Sequence, residues 1–381
     1  MSMTDSRVTE LKKEIEDWVR GPGEEYAAEI ERTHQAPARL RAELRELGYL
    51  RLAAPENYGG QGIPFSRYLE LAELFSMSHA SVRMIVHVAN GMWRAISQFA
   101  DDAQHKKFVL PQVAGAINVA FTLTEPASGT GADLRSAVTR DGGTYYLSGE
   151  KHLITFGVDC DYWLVFARVS GSTGKDGTVA LLVDRHSPGV TVTAMPLTMG
   201  VRGTDHAHLL FDQVPVPVTS RLGAEGQGLD VALGGFLTPS RISVAMSCVG
   251  LARRAQELAV GYARNRVTFG KPLTARQAVA FALAENAADI EAARQLTLHA
   301  ARQWENGAPG AGALASMAKL TAVDMLTRVT DKALQAHGGI GYWESSPIER
   351  VYRDARAQRF EEGTNEIQKT VIARMIFEDG Q

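Results

Sequence analysis

Two adjacent carboxylates, Glu361 and Glu362, stand in front of a Gly-Thr pair near the end of the chain. A glutamate held in a dry pocket can remove a weakly acidic hydrogen beside a carbonyl group, provided that hydrogen-bond donors stabilise the resulting enolate. Burial would raise its pKa from about 4.3 towards neutrality, which matches the demand of such a proton. In a plainer setting, the same residue is a solvated acid at the start of a helix. On these residues alone the solvated acid is the simpler interpretation of Glu362, and a general base is the alternative.

Two further segments carry groups that suit a cofactor. The run TEPASGTG at 124–131 would expose backbone amides and hydroxyl groups in a loop. The run RNRVTFGKPL at 264–273 combines cations, a hydroxyl group and a glycine, and these suit a phosphate. Each run also has a simpler interpretation, a turn before a strand for the first and a helix C-cap at Gly270 for the second.

Three blocks of secondary structure must position these residues. Residues 1–117 and 231–381 have apolar positions at the helical period, whereas residues 118–230 contain short β-branched and aromatic runs between turns. Because strands and helices do not alternate, this order argues against a doubly wound sheet and predicts an α+β protein with domains 1–117, 118–230 and 231–381. The predicted strands are NVAFTLT, GTYYLSG, YWLVFARV, GTVALLVD and GVTVTAM. One predicted helical ladder runs through Leu314, Met317, Ala318, Thr321, Met325 and Val329.

Composition and charge exclude several classes of protein. The 381 residues are 45% hydrophobic and 22% charged with a formal net charge of -3, which is ordinary for a folded protein and gives no basic surface for nucleic acid. No apolar run approaches the roughly 20 residues that span a bilayer. Cys160 and Cys248 lack metal-ligand spacing and a disulfide framework. We therefore expect a cytoplasmic protein with no metal, no nucleic-acid partner and no membrane span.

Four parts of the chain together resemble the acyl-CoA dehydrogenase family. In the family's order they are AFTLTEPASGTGAD at 120–133, GEKHLIT at 149–155, RNRVTFGKPL at 264–273, and QAHGGIGY to RFEEGTNEIQ at 335–368. The resemblance covers nearly the whole chain. It implies an N-terminal helical domain, a central β-barrel-like domain and a C-terminal four-helix bundle, with FAD at a subunit boundary of a homo-oligomer, expected to be a tetramer.

The resemblance also implies a reaction and a set of site residues. Glu362 would take a proton from C2 of an acyl-CoA thioester while hydride passes from C3 to flavin N5, which gives the trans-2-enoyl-CoA. Thr155 corresponds to the residue whose hydroxyl group bonds N5. Arg241 is expected near the thioester or CoA. Arg83 stands near the position where relatives that handle dicarboxylic acyl groups place an arginine to pair the distal carboxylate, and a surface arginine on an amphipathic helix is the simpler interpretation of it. The other expected FAD contacts are Phe121, Leu123, Thr124, Thr130, Arg266, Thr268, Phe269, Gln277, Gln335, Gly338, Gly339, Thr364 and Glu366.

Three positions depart from the family's pattern. Leu153 and Glu361 stand where members often have an aromatic residue, the first near the flavin and the second before the base. A few members take the base from a helix position that is Ser240 here, and a serine cannot serve in that role. We expect His87 to be a packed helical histidine rather than a ligand.

Several functions remain open on this fold. The leading one passes electrons to an electron-transfer flavoprotein, in fatty acid or amino acid catabolism. The same chemistry on an acyl group held by a carrier protein is a close alternative. A flavin monooxygenase or oxidase is another, although such members commonly lack the base that Glu362 would provide. A binding module without activity is the last.

Overall fold

The computed structural model describes residues 3–128 and 133–378, and its first part is helical, as predicted. Residues 25–50 do not form one helix, because the left-handed backbone of His34 (φ 58) ends one helix before Pro37 begins the next. A single turn of π-helix, His105–Val109, follows later. The helices are α1 Met3–Arg20, α2 Pro22–Thr33, α3 Ala38–Glu46, α4 Phe65–Phe75, α5 Ala80–Ser97, α6 Asp102–Gln104 and α7 Leu110–Val113.

The middle of the chain forms one sheet of eight strands within the described residues. The strands are β1 Val119–Thr122, β2 Ala137–Asp141, β3 Thr144–Thr155, β4 Tyr162–Val169, β5 Thr178–Asp184, β6 Val190–Ala194, β7 His206–Pro217 and β8 Arg221–Leu222. Their order is β6-β7-β3-β2-β4-β5-β8, and β1 pairs with β4 in parallel. All five predicted strands are present. The long strand β7 was not predicted, because Pro215 and Pro217 make its sequence look like a turn.

The last part of the chain returns to helices. They are α8 Gly228–Asp230, α9 Thr238–Asn265, α10 Gln277–Glu305, α11 Ala311–His337, α12 Pro347–Ala357 and α13 Asn365–Glu378. A π-helical segment, Val231–Leu237, leads into α9. Between α9 and α10 lies a small hairpin of β9 Val267–Thr268 and β10 Lys271–Pro272. Gly270, with φ 74, sits in the turn of that hairpin, so the C-cap interpretation is wrong because α9 already ends at Asn265.

Apolar packing joins the two helical parts. One continuous core contains side chains from α1, α4 and α5 together with side chains from α9, α10 and α11. A separate core fills the sheet, and a third lies where the sheet meets α5 and the π-helical segment. The fold is thus mixed α+β, with a sheet between helical parts, as expected. In the part of the chain that the structure describes, no helix is long and apolar enough to cross a membrane.

Candidate active site

The predicted base lies in the short loop between α12 and α13. Glu362 has a left-handed backbone (φ 55), and Gly363 after it has φ 92. A glutamate rarely adopts this conformation, and it persists only where the surroundings impose it. The loop carbonyls supply that restraint: the Glu362 oxygen accepts from Arg241 Nε (3.3 Å) and Gln368 Nε2 (3.1 Å). Lys319, fully buried on α11, donates to the Gly363 oxygen.

The Glu362 carboxylate is held by a chain of hydrogen bonds. Ser240 Oγ, in the first turn of α9, donates to Glu362 Oε1 at 2.7 Å. The same hydroxyl group lies 2.8 Å from His87 Nε2 on α5, and His87 Nε2 is 3.9 Å from Glu362 Oε1. Burial lowers the pKa of His87 to about 4, so the ring is neutral at neutral pH. The consistent arrangement has His87 Nε2–H donating to Ser240, which in turn donates to the carboxylate.

The protonation of Glu362 follows from its surroundings. Burial raises its pKa to about 7, and the neighbouring charge of Glu361 adds to that rise. The Ser240 hydroxyl group, Lys319 and Arg241 act in the opposite direction. A carboxyl group with this pKa can exist as a base at neutral pH and can also retain a proton that it has taken.

Glu361 has a different partner from Glu362. Its two oxygens accept from the guanidinium of Arg83 on α5 at 2.8 and 2.9 Å. The Arg83 side chain is 3% exposed, so this pair is nearly buried. Burial by itself would raise the pKa of Glu361, but the charge and hydrogen bonds of Arg83 outweigh it and lower that pKa. Glu361 therefore stays ionised, and a substrate carboxylate could reach Arg83 only by displacing Glu361.

A small cavity adjoins the hydrogen-bonded chain. Ser240 and His87 belong to its wall, and it extends between α4, α5 and the start of α9. Phe236 also lines it and stacks on Phe121 with 4.7 Å between ring centroids. Phe121 is one of the predicted flavin contacts, so the cavity connects the neighbourhood of the base with that of the expected flavin.

The end of β3 presents further predicted residues. Thr155 closes the strand and pairs with His206 of β7. Leu153 and Phe156 beside it both have left-handed backbones, with φ 58 and 55, and Leu153 is 51% exposed. Left-handed conformations at non-glycine residues tend to cluster where a protein binds or reacts. The strand end thus offers a hydroxyl group and an exposed apolar side chain, which fit the edge and face of an aromatic ring system.

A second group of predicted residues lies on the outer surface of the C-terminal helices. Phe269 is 97% exposed at the hairpin turn. At Gly338 and Gly339, after α11, an added Cβ would meet no atom within 4 Å, so their backbone is open to a close approach. A cation and open backbone amides fit a phosphate group. The exposed members of this group are Arg266, Phe269, Gln277, Gln335, Gly338, Gly339 and Glu366.

The structure brings only some of the predicted residues together. Glu362, Arg241 and Arg83 meet around one loop, and Phe121 is linked to them through Phe236 and His87. Leu123 is buried after β1, whereas Thr124 accepts a backbone hydrogen bond from His152 with its carbonyl oxygen. Thr268 and Thr364 are half-buried. Thr130 lies outside the described residues.

Sequence reasoning missed four side chains that hold the base: Ser240, His87, Lys319 and Gln368. Ser240 was noted only because a serine cannot act as the base that some family members have at this position, and His87 was expected only to pack in its helix. Lys319 had a detectable signal, because it lies one turn from Ala315 and Val323 on the apolar face of α11. A lysine is almost never fully buried without a partner, so a lysine at that position indicates a polar contact inside the core.

Known protein families match most of the chain. The acyl-CoA dehydrogenase N-terminal, middle and C-terminal domain families match residues 6–116, 120–214 and 226–377. An acyl-CoA dehydrogenase of Bacillus subtilis is 35% identical over 379 residues, which are 99% of each chain. The mitochondrial short-chain specific acyl-CoA dehydrogenase of Homo sapiens is 36% identical over 349 residues, 91% of this chain and 84% of the relative.

A solved structure gives the same result. The butyryl-CoA dehydrogenase of Megasphaera elsdenii superimposes with a TM-score of 0.93 at 33% identity, over 99% of both chains. Both the sequence matches and the superposition extend through all three parts of the fold. This chain therefore belongs to the acyl-CoA dehydrogenase family of oxidoreductases.

Proposed function

We propose that this protein is an FAD-dependent dehydrogenase that converts an acyl-CoA thioester into the trans-2-enoyl-CoA, with Glu362 as the base. The observation that carries the proposal is the Glu362 carboxylate, which is largely removed from water, belongs to a residue with an imposed backbone conformation and has a pKa of about 7. Bound FAD would supply the acceptor for the two electrons that leave with the C3 hydrogen.

The base loop provides what removal of the C2 proton requires. Ser240 fixes one oxygen of the carboxylate, which leaves the other oxygen available to the substrate. Among the described residues, the backbone N–H of Glu362 has no hydrogen-bond acceptor. That N–H can donate to the thioester oxygen as negative charge develops there. Exclusion of water by the thioester would raise the pKa of Glu362 further and match it better to the C2 proton.

FAD would be held by two groups of residues. The end of β3 with Thr155, and Phe121 on β1, would contact the flavin ring. The exposed surface around Arg266, Gly338 and Gly339 would receive the phosphates of a cofactor bound mainly by a second subunit. We therefore propose a homo-oligomer, a tetramer by the family resemblance, and an electron-transfer flavoprotein as the acceptor of the electrons.

An anaerobic spectral titration of the purified protein against a panel of CoA esters tests the function. We expect a yellow protein whose flavin absorbance is bleached by its substrate. Glu362→Gln should keep FAD but lose reduction by at least about 100-fold, because no carboxylate remains to take the C2 proton. Equal reduction of this variant and the wild type would exclude Glu362 as the base.

Glu361→Gln is the matched control for this experiment. Its amide oxygen would still accept a hydrogen bond from Arg83 and Glu362 would stay in place, so the same ester should still reduce the flavin. Carrier-protein thioesters belong in the same panel, since faster reduction by those esters than by CoA esters would favour the carrier-bound alternative. Rapid consumption of oxygen without an enoyl product would favour an oxidase.

A further inference from the structure

The cavity beside Ser240 and His87 contains more polar groups than an alkyl chain requires. Pockets for apolar ligands are lined mainly by apolar side chains with a few placed polar groups. Here the wall includes the side chains of Tyr68, Asn90, Arg94 and Ser243 beyond the two that hold the base. Asn90 is committed to the backbone, since it donates to the Tyr49 and Val86 oxygens and accepts from Ala53 N.

Two of these polar groups have no partner. Tyr68 on α4 is 3% exposed, yet its hydroxyl group forms no hydrogen bond with any residue that the structure describes. Within the same described residues, the guanidinium of Arg94 on α5 has no hydrogen-bond acceptor and no carboxylate within 4.0 Å. The negative charge of Glu305 acts to raise the pKa of Arg94, but the carboxylate oxygens of Glu305 accept hydrogen bonds from Phe65 N and Ser66 Oγ instead.

Aromatic rings orient the Arg94 side chain. Its guanidinium carbon lies 4.7 Å from the ring centroid of Trp93, 5.2 Å from that of Trp304 and 5.3 Å from that of Phe65. Cation–π contacts offset part of the cost of burying a charge, but they satisfy none of the N–H donors. Burial lowers the pKa of Arg94 only to about 10, so the group remains charged at neutral pH. Burial raises the pKa of Tyr68, which remains a neutral donor.

An unpaired cation and an unpaired hydroxyl group on one cavity wall are complementary to an anionic oxygen ligand. Arginine binds carboxylates through paired N–H donors, and such charge-assisted bonds are the strong ones. The cavity begins at the residues that hold Glu362 and continues along α5 from His87 to Arg94, a rise of about 10 Å over seven residues. An acyl chain with C2 at Glu362 would therefore extend towards Arg94.

We propose that Tyr68 and Arg94 form a carboxylate-binding subsite at the far end of the acyl pocket, so that the substrate is a thioester with a distal carboxylate. The assignment rests on the proposed function, since it needs an acyl thioester at Glu362. It also differs from the role that the resemblance implies for Arg83, which is already paired with Glu361.

Binding without turnover tests the subsite. In the Glu362→Gln protein with FAD, calorimetry would give the affinities of adipoyl-CoA and hexanoyl-CoA, and of glutaryl-CoA and pentanoyl-CoA. Each pair has one chain length and differs only in the distal carboxylate. We expect the dicarboxylic ester of at least one pair to bind about tenfold tighter or more, because its carboxylate would pair with a half-buried cation that has no acceptor among the described residues.

Two substitutions locate the effect. Tyr68→Phe removes one hydroxyl group at constant shape, and Arg94→Met removes the charge but keeps an apolar stem. Each should lower affinity for the dicarboxylic ester by more than for its monocarboxylic partner, and Arg94→Lys should recover part of the preference. Should Arg94→Met fail to retain FAD, Tyr68→Phe decides the matter.

The inference and the proposed function fail in different ways. Equal binding of both esters in every pair, or equal losses of affinity for both esters in Tyr68→Phe, would overturn the subsite. The proposed function would still stand in that case if monocarboxylic esters reduced the wild-type flavin. If no thioester of either kind reduced the wild-type flavin, the proposed function itself would be wrong.

Discussion

At the residue scale, the reactivity of Glu362 depends on neighbours that act in opposite directions. Removal from water favours the protonated carboxyl group, and the ionised Glu361 beside it has the same effect. Ser240 favours the ionised form because its hydroxyl group donates to the carboxylate. The pKa of about 7 is the balance of these effects, so a single hydrogen bond can move the protonation of the base within the physiological range.

Ser240→Ala tests this balance through the pH dependence of flavin reduction. Without the hydroxyl donor, the ionised form is less stable and the pKa of Glu362 should rise above about 7. Since the ionised form is the base, the ascending limb of the reduction rate should move to higher pH, by about 1 or more. Stopped-flow measurement of the flavin reduction rate from about pH 6 to about pH 9 would detect this shift.

Ser247→Ala is the control for that experiment. Ser247 is equally buried on α9, but its hydroxyl group bonds the Ser243 carbonyl oxygen of its own helix. Its loss should leave the ascending limb of the pH–rate profile unchanged. If the ascending limb moved to lower pH in Ser240→Ala, the assigned direction of the hydrogen bond would be wrong.

At the element scale, the pair of Arg83 and Glu361 connects α5 to the base loop. The two residues are 278 positions apart, and their bond fixes the residue immediately before the base. The loop is held from other helices as well, by Arg241 on α9 and Lys319 on α11. A loop that would otherwise be mobile thus takes the one conformation that the base requires.

A double-substitution cycle measures this connection. Arg83→Met leaves a nearly buried carboxylate without its cation and should lower the free energy of unfolding by about 3 kcal/mol or more. Arg83→Met with Glu361→Gln should be less destabilised than the sum of the single variants, because no charge is left unpaired. Denaturant unfolding followed by circular dichroism would give the values.

An exposed pair provides the comparison. Arg328 and Asp289 form an ion pair at 2.9 Å with side chains 51% and 36% exposed, so the same cycle there should give about 1 kcal/mol or less. Additive losses for Arg83 and Glu361 would show that the two side chains are not coupled, and that α5 holds the loop by packing alone.

At the scale of the whole molecule, the C-terminal helices carry an apolar surface that a single chain leaves uncovered. The exposed apolar side chains there include Phe269 at 97%, Tyr342 at 83% and Trp343 at 67%. Extensive apolar exposure usually marks an interaction site. The predicted FAD contacts Phe269, Gly338 and Gly339 lie in or beside the same segments, which is why cofactor binding and assembly should be coupled.

Phe269→Glu tests that coupling. A charge at the hairpin turn should shift the protein towards smaller assemblies and lower its FAD content, since both would depend on this surface. Size-exclusion chromatography with light scattering and the flavin absorbance per chain would measure the two effects. Leu47→Glu, an exposed apolar residue at the end of α3, should change neither. An unchanged mass and flavin content in Phe269→Glu would argue that this surface is not an interface.

Some elements and buried residues could be predicted from the sequence, and others could not. Local pattern was sufficient for β4 and β5, which are nearly continuous apolar runs, and for the helices on both sides of the sheet. It was not sufficient for β7, where prolines hide a strand that is paired on both sides by β3 and β6. On α11 the predicted ladder included Thr321, which is exposed, and omitted Lys319, which is fully buried.

The sequence by itself determined the fold class and the family, because these depend on local periodicity and on motifs that are contiguous in the chain. It also led to Glu362 as the predicted base, through one of the same motifs. Only the tertiary structure decided what surrounds that base. Ser240 and His87 approach Glu362 although they lie 122 and 275 positions before it in the chain. Pairing over such distances is set by how helices pack, and no local pattern specifies it. Helix packing likewise pairs Arg83 with Glu361, whereas it gives Arg94 no acceptor among the described residues.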